Sequence, residues 1–255
     1  MTGQRPLAIF QSVVNLACYC YDCHPVVMKT INHIDSPLTS FLIVALLYFL
    51  FLFVRLETHD ASFFVQAGEH FVDVTEAPDN LLTVTPFTGY DGTFYYRLAL
   101  TPFTQEHTAF GITFDNSRYR HQRILYPFLG WFFSFGSPPL VIYSLIVVNY
   151  LALCAMGWFG GVYAQLVKRH ALWGIVFPLY SGFLFTLSRD LTEIIASFFV
   201  LIAVIALQHN RSIVATIALV LAILAKETAL LVAASLAFLW IVQRFRSQNR
   251  GFHWY

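Results

Sequence analysis

Residues 38–54 read LTSFLIVALLYFLFLFV, seventeen in a row without a charged side chain. A helix of that length rises about 26 Å, a little under the hydrocarbon thickness of a bilayer, and flanking side chains that reach toward the interface make up the difference. Ser36 followed by Pro37 supplies a helix start. The stretch predicts a membrane span, and with it a membrane protein rather than a water-soluble domain.

The rest of the chain agrees. Of its 255 residues 58% are hydrophobic and only 11% charged, with 26 phenylalanines and 13 tyrosines, and its mean hydropathy is +0.64. Soluble domains carry about a quarter charged residues. The formal net charge of +1, without a basic patch, argues against a nucleic-acid partner.

Working outward, residues 55–123 form the one sizeable polar region. Residues 124–136, ILYPFLGWFFSFG, are apolar but too short to cross, and Gly136, Pro138 and Pro139 stop them. They predict a juxtamembrane or re-entrant helix. Residues 139–166, 171–187 and 191–207 are each read as a crossing, and 212–225 and 228–242 flank the polar pair Lys226 and Glu227. The count is six spans if the chain turns at Lys226 and five if 212–242 is one tilted helix. The expected class is thus all-α: a polytopic integral membrane protein of about six transmembrane helices. An N-terminal cytoplasmic or interfacial segment (1–37) precedes a core (38–243) holding the external loop 55–137, and a basic cytoplasmic tail (244–255) follows.

Charge placement favours six. With the N-terminus cytoplasmic, Arg5, Lys29, Lys168, Arg169, Arg211, Arg244, Arg246 and Arg250 fall inside with only Asp22 and Asp35, as the positive-inside rule requires. The loop, Arg189-Asp190 with Glu193, and Lys226-Glu227 then all reach the outer face. At the N-terminus, residues 7–21 resemble a signal peptide without a convincing cleavage site, and an interfacial segment fits equally. Cys18, Cys20 and Cys23 beside His24 have soft-ligand chemistry but not a usual zinc spacing, and unpaired cysteines are the preferred reading.

Within the loop, Asp91 stands between Gly89-Tyr90 and Gly92, ahead of Phe94, Tyr95 and Tyr96. The glycines permit a tight turn and close approach, and the aromatics begin a helix at the interface. A carboxylate held there serves either as a general base toward a hydroxyl or as a helix N-cap. Arg118, Arg120, His121 and Arg123 precede an apolar aromatic run, where guanidinium groups suit phosphate oxygens, either of ordinary headgroups or of a polyprenyl phosphate. Glu57, His59 and Asp60 follow the first span. Glu106, His107 and Asp115 are read as solvated loop. Asp190 and Glu193 are three apart at a helix start and share a face, with Arg189 bridging phosphate or neutralising either acid. Lys226 is a candidate for a donor phosphate and Glu227 for orienting it, with an ion pair to the Arg189 group as the alternative. Carboxylates give a divalent metal hard oxygen ligands, although no cluster stands out.

Four stretches, GYDGTFYYRLAL (89–100), RYRHQRILYP (118–127), LSRDLTE (187–193) and LAKETALL (224–231), resemble membrane glycosyltransferases of the C-type superfamily. More narrowly they resemble a bacterial group of polytopic proteins associated with cell-surface glycopolymer formation, over residues 88–240. The resemblance implies a multi-pass protein of the bacterial cytoplasmic membrane, surrounded by membrane lipids, that moves a sugar from a polyprenyl-phosphate donor to a glycan or lipid acceptor. It implies Asp91 as the acid that activates the acceptor, Arg118, Arg120, Arg123 and Lys226 as donor-phosphate contacts, and Asp190 and Glu193 as a second polar patch around the reaction centre, to which the reading of the residues adds Tyr90, Arg189 and Glu227 as supporting polar groups. Such enzymes commonly carry more transmembrane helices, so a fragment, a split product or a minimal form is expected. The alternatives are a noncatalytic membrane assembly subunit and a flippase or transporter of a lipid-linked glycan. The second is disfavoured by the few ionisable groups in the inner halves of the spans.

Overall fold

The computed structural model describes residues 35–249; the expectations for residues 7–21, for Cys18, Cys20, Cys23 and His24, and for the tail from 250 lie outside them. The protein is all-α in substance, with two strand pairs of two residues each.

Helix α1 (Pro37–Thr58) starts as the sequence predicts, with the Ser36 side chain accepting from Leu38 N at 3.2 Å and proline in the first turn. Its buried residues Ser40, Val44, Tyr48 and Leu52 recur every fourth position, one ridge that packs along α5 (Pro138–Leu166). The other faces of α1 expose leucine and phenylalanine. Among the described residues, α1 and α5 are the two helices long and apolar enough to cross a membrane, at 22 and 29 residues.

The remaining expected crossings are shorter or broken. Residues 171–187 are not one helix: a 3-10 helix (Ala171–Val176) gives way over Phe177 to Tyr180 to the short α6 (Ser181–Leu187). Pro178 has no N–H to continue the ladder and its ring crowds the preceding turn, so the regular helix stops there even though Phe177 keeps helical dihedrals. Side chains of α1 meet carbonyls left free by the irregular segment: Ser40 Oγ donates to Ala171 O at 2.7 Å and Tyr48 Oη to Pro178 O at 2.5 Å. From the end of α5 at Gly160 and Gly161 the chain passes back to about the middle of that helix, where Asn149 donates to Leu191 O at 3.1 Å.

Backbone contact makes this possible. A Cβ on Gly174 would sit 2.1 Å from Gly161 N and one on Gly160 2.6 Å from Gly174 O, so the 3-10 turn lies directly on the end of α5. Gly174→Ala therefore separates the two, with an expected cost of about 2–3 kcal/mol as for overpacked cores. Thermal unfolding of the detergent-solubilised variant measures it.

Helices α7 (Glu193–Gln208) and α8 (Ser212–Ala225) form a tight hairpin, with Ala203 and Ala206 on one and Ala215, Ala218 and Ala222 on the other all buried. Lys226 is extended at φ −154°, so the chain breaks there, and α9 (Ala229–Asn249) is a separate helix. That removes the single long helix over 212–242. It also carries helix beyond the expected core boundary at 243.

The polar region is a folded cap rather than a loop. It holds a 3-10 turn (Ala61–Phe64), a parallel pair β1 (Ala67–Gly68) and β2 (Val84–Thr85), then α2 (Gly92–Leu100). A small hairpin of β3 (Thr108–Ala109) and β4 (Ile112–Thr113), α3 (Ser117–His121) and α4 (Leu125–Phe133) follow. Every residue of α2 is buried. The aromatic run after Asp91 thus begins a helix as expected, but one that packs inside the protein instead of lying at an interface. Tyr95, Tyr96 and Ala99 join the same core as Val44, Tyr48 and Leu145, so cap and bundle are continuous. Helix α4 ends before Gly136, which has φ +69°, and lies against α5, where Gly130 leaves room for Leu145.

Candidate functional site

The cap-facing end of the bundle gathers the charged stretches. Asp91 occupies the N-cap position of α2 in a helical conformation but makes no capping hydrogen bond. Gly89 takes φ +67°, and a side chain on Gly92 would meet Arg189 O at 2.4 Å and Val65 O at 2.6 Å. Both glycines are therefore required, one by the turn and one by the approach of another strand of chain.

The Asp91 carboxylate turns to two arginines. Arg123 Nη1 donates to Oδ2 at 3.0 Å, and Arg120 Nη1 lies 2.8 Å from Oδ1, out of line for a hydrogen bond and so an ionic contact. Each arginine has a second acid. Arg120 makes a fork to Asp115, at 2.8 and 2.7 Å, over the ring of Phe94. Arg123 makes a fork to Glu227, at 2.7 and 2.6 Å, and donates to Tyr95 Oη at 2.8 Å and to Tyr119 Oη. One guanidinium thus ties α2, the α3–α4 junction and the α8–α9 joint together. The Arg123 fork pulls the Glu227 carboxyl down to about 2 against the opposing effect of burial, and the Arg120 fork lowers that of Asp115.

Beside this network Lys226 pairs with Glu193. Arg189 has no carboxylate partner among the described residues. Its guanidinium stacks 3.7 Å from the Phe185 ring and 4.6 Å from that of Tyr90, Nη1 donates to Ser188 Oγ, and Nε is buried without a partner. Arg118 is exposed and makes no ion pair within the same residues. Asp190 and Glu193 do not share a helical face, because α7 begins only at Glu193 and Asp190 precedes it at φ +48°, fully buried against Tyr126.

Of the expected site residues, then, Asp91, Arg120, Arg123 and Glu227 form one network and Tyr90 and Arg189 adjoin it. Lys226 and Glu193 make a neighbouring pair, Asp190 lies beneath and Arg118 outside. Arg120, Arg123 and Lys226 meet acids rather than standing free for phosphate. Asp115, read as solvated loop, belongs to the site, as do Tyr95 and Tyr119. Its sequence signal was the helix start at Asn116, whose side chain caps Tyr119 N and brings Asp115 within reach of Arg120.

A cavity of about 390 Å³ opens over Asp91, Asp115 and Arg120, walled by Tyr90, Phe71 and Phe94. An apolar groove of about 400 Å³ lies along the irregular segment by Trp173, Val176 and Leu179, without converging polar groups. No group of three or more His, Cys, Asp or Glu among the described residues is arranged to hold a metal. The site acids face guanidinium and ammonium groups rather than one another, an arrangement that does not fit a divalent ion. No protein family, curated protein or solved structure matches the chain.

Proposed function

We propose that this is a membrane glycosyltransferase resembling the C-type superfamily, a multi-pass protein of the bacterial cytoplasmic membrane. It moves a sugar from a polyprenyl phosphate to a glycan or lipid acceptor. On this reading α1, α5, the broken segment 171–187, α7, α8 and α9 are the six crossings, and the cap lies on the outer face. The observation that carries the reading is a carboxylate, Asp91, with 38% of its side chain exposed at the mouth of a cavity, and, stacked on the neighbouring Tyr90, Arg189, a cation without a carboxylate partner among the described residues.

The chemistry follows from those two groups. Asp91 accepts the proton of the acceptor hydroxyl as its oxygen bonds to the anomeric carbon of the donor sugar. The bond from that carbon to the phosphate oxygen breaks, and the lipid phosphate leaves with the electron pair. Arg189 stabilises the charge that develops on the phosphate. Attack opposite the leaving group inverts the anomeric centre. Arg120 and Arg123 hold the Asp91 carboxylate in place rather than touching donor, and lone pairs on its two oxygens remain for the substrate.

A second reading, a noncatalytic assembly subunit, draws support from the same double pairing, which would serve equally as a latch between cap and bundle. Turnover separates them. Membranes containing the protein are incubated with a panel of polyprenyl-phosphate sugars, and released lipid phosphate and transferred sugar are measured. Release in equal amount to transfer is expected with one donor. No turnover with any donor, together with a stable complex with another envelope protein, favours the subunit.

A further inference from the structure

Beneath the site, and taking no part in the chemistry proposed for it, lies Asp190, the one fully buried acid among the described residues. We infer that Asp190 is a proton-binding site: in the folded protein it is a neutral carboxylic acid whose hydrogen bonds hold α4, α5 and the start of α7 together.

Hydrogen-bond accounting carries this. The Tyr126 hydroxyl has a single proton and two acceptors in reach, Leu145 O at 3.1 Å and Asp190 Oδ1 at 3.4 Å. Asn149 Nδ2 already donates to the Tyr126 oxygen at 2.9 Å and to Leu191 O at 3.1 Å, which uses both of its hydrogens. With the Tyr126 proton on the nearer Leu145 carbonyl, Asp190 makes a hydrogen bond to that hydroxyl oxygen only by donating one itself. Its other oxygen, Oδ2, is buried and has no donor among the described residues. An ionised carboxylate is acceptor-only, so a charge here would have the Tyr126 hydroxyl as its one side-chain donor among the described residues, at 3.4 Å and only by taking that proton from the nearer Leu145 carbonyl.

The surrounding charges do not supply the missing partner. Tyr126 and Tyr95 are neutral hydroxyls, and Glu193 is an acid already joined to Lys226. Arg189, the preceding residue in the chain and without a carboxylate partner among the described residues, stacks on Phe185 and Tyr90. Burial acts in the same direction, pushing the carboxyl well above its ordinary range.

The test is a pH series of thermal unfolding on the solubilised full chain and on Asp190→Asn, whose amide reproduces the donor and acceptor of the acid. Between the ordinary carboxyl pKa and the raised one, the native state holds a proton that the unfolded state has released. Wild-type stability therefore falls as pH rises, by up to about tenfold in the folding equilibrium per pH unit. Asp190→Asn lacks that slope, so its stability relative to wild type grows with pH, and parallel profiles overturn the inference. Infrared spectra of the wild-type protein at neutral pH provide a check independent of the variant's folding. A protonated-carboxyl stretching band that exchanges slowly with deuterium is expected, and its absence equally overturns the inference.

Discussion

Asp91→Asn lowers sugar transfer by about 10²–10⁴-fold, the range for losing a positioned general base, while the protein inserts and unfolds much as wild type does. The two halves of that expectation have separate causes. An amide cannot accept the proton of the acceptor hydroxyl, so the transition state loses its base. The fold survives because neither arginine is orphaned: Arg120 keeps its fork to Asp115 and Arg123 its fork to Glu227. Asparagine also fills the same volume at the turn between Gly89 and Gly92. Transfer at the wild-type rate by a folded variant would remove Asp91 from the catalytic role, and collapse of the fold would mark it as a structural latch.

Arg123→Met has the opposite signature, a loss of stability of about 1–3 kcal/mol, as expected for charge-assisted hydrogen bonds lost to carboxylates that water still reaches. Only 6% of the Arg123 side chain is exposed, and its guanidinium stands between Asp91 and Glu227 while also serving Tyr95 and Tyr119. Methionine matches its length but leaves two carboxylates facing one space with no cation between them. The cap would then separate from the α8–α9 joint, detectable as a lower unfolding temperature and as faster proteolysis of residues 55–123. Adding Glu227→Gln should recover part of the loss, because the remaining acid then has Arg120 alone to satisfy. If Arg123→Met melts like the wild type, the strut contributes nothing and the cap is held by apolar packing.

These two variants also divide what the residues announced from what they concealed. The span at α1 was legible because seventeen uncharged residues have few other stable places to be, and its start was legible in Ser36 and Pro37. The meeting of the loop with residues 189–193 and with Lys226-Glu227 at one end of the bundle matches the expectation that these charged stretches share one face. Asp91 was marked by its glycines, each of which answers a local steric demand.

What the arginines do was not legible. Arg123 and Glu227 are separated by 104 positions, and no local pattern states that their forks meet. Asp115 looked solvated because its partner lies across a helix start. Residues 171–187 were hydrophobic enough for a helix, yet Pro178 breaks it and hydroxyls on α1 accommodate the break.

Hydropathy and turn chemistry act over a few residues, so the sequence alone determined that this chain is helical and apolar, where its first long helix lies, and which residues carry charge. Which acid faces which base, whether a guanidinium is neutralised or left open, and that Asp190 is sealed from water depend on distant segments packing together. Only the tertiary structure decided them, because ion pairing and desolvation are set by distances that the order of residues does not contain.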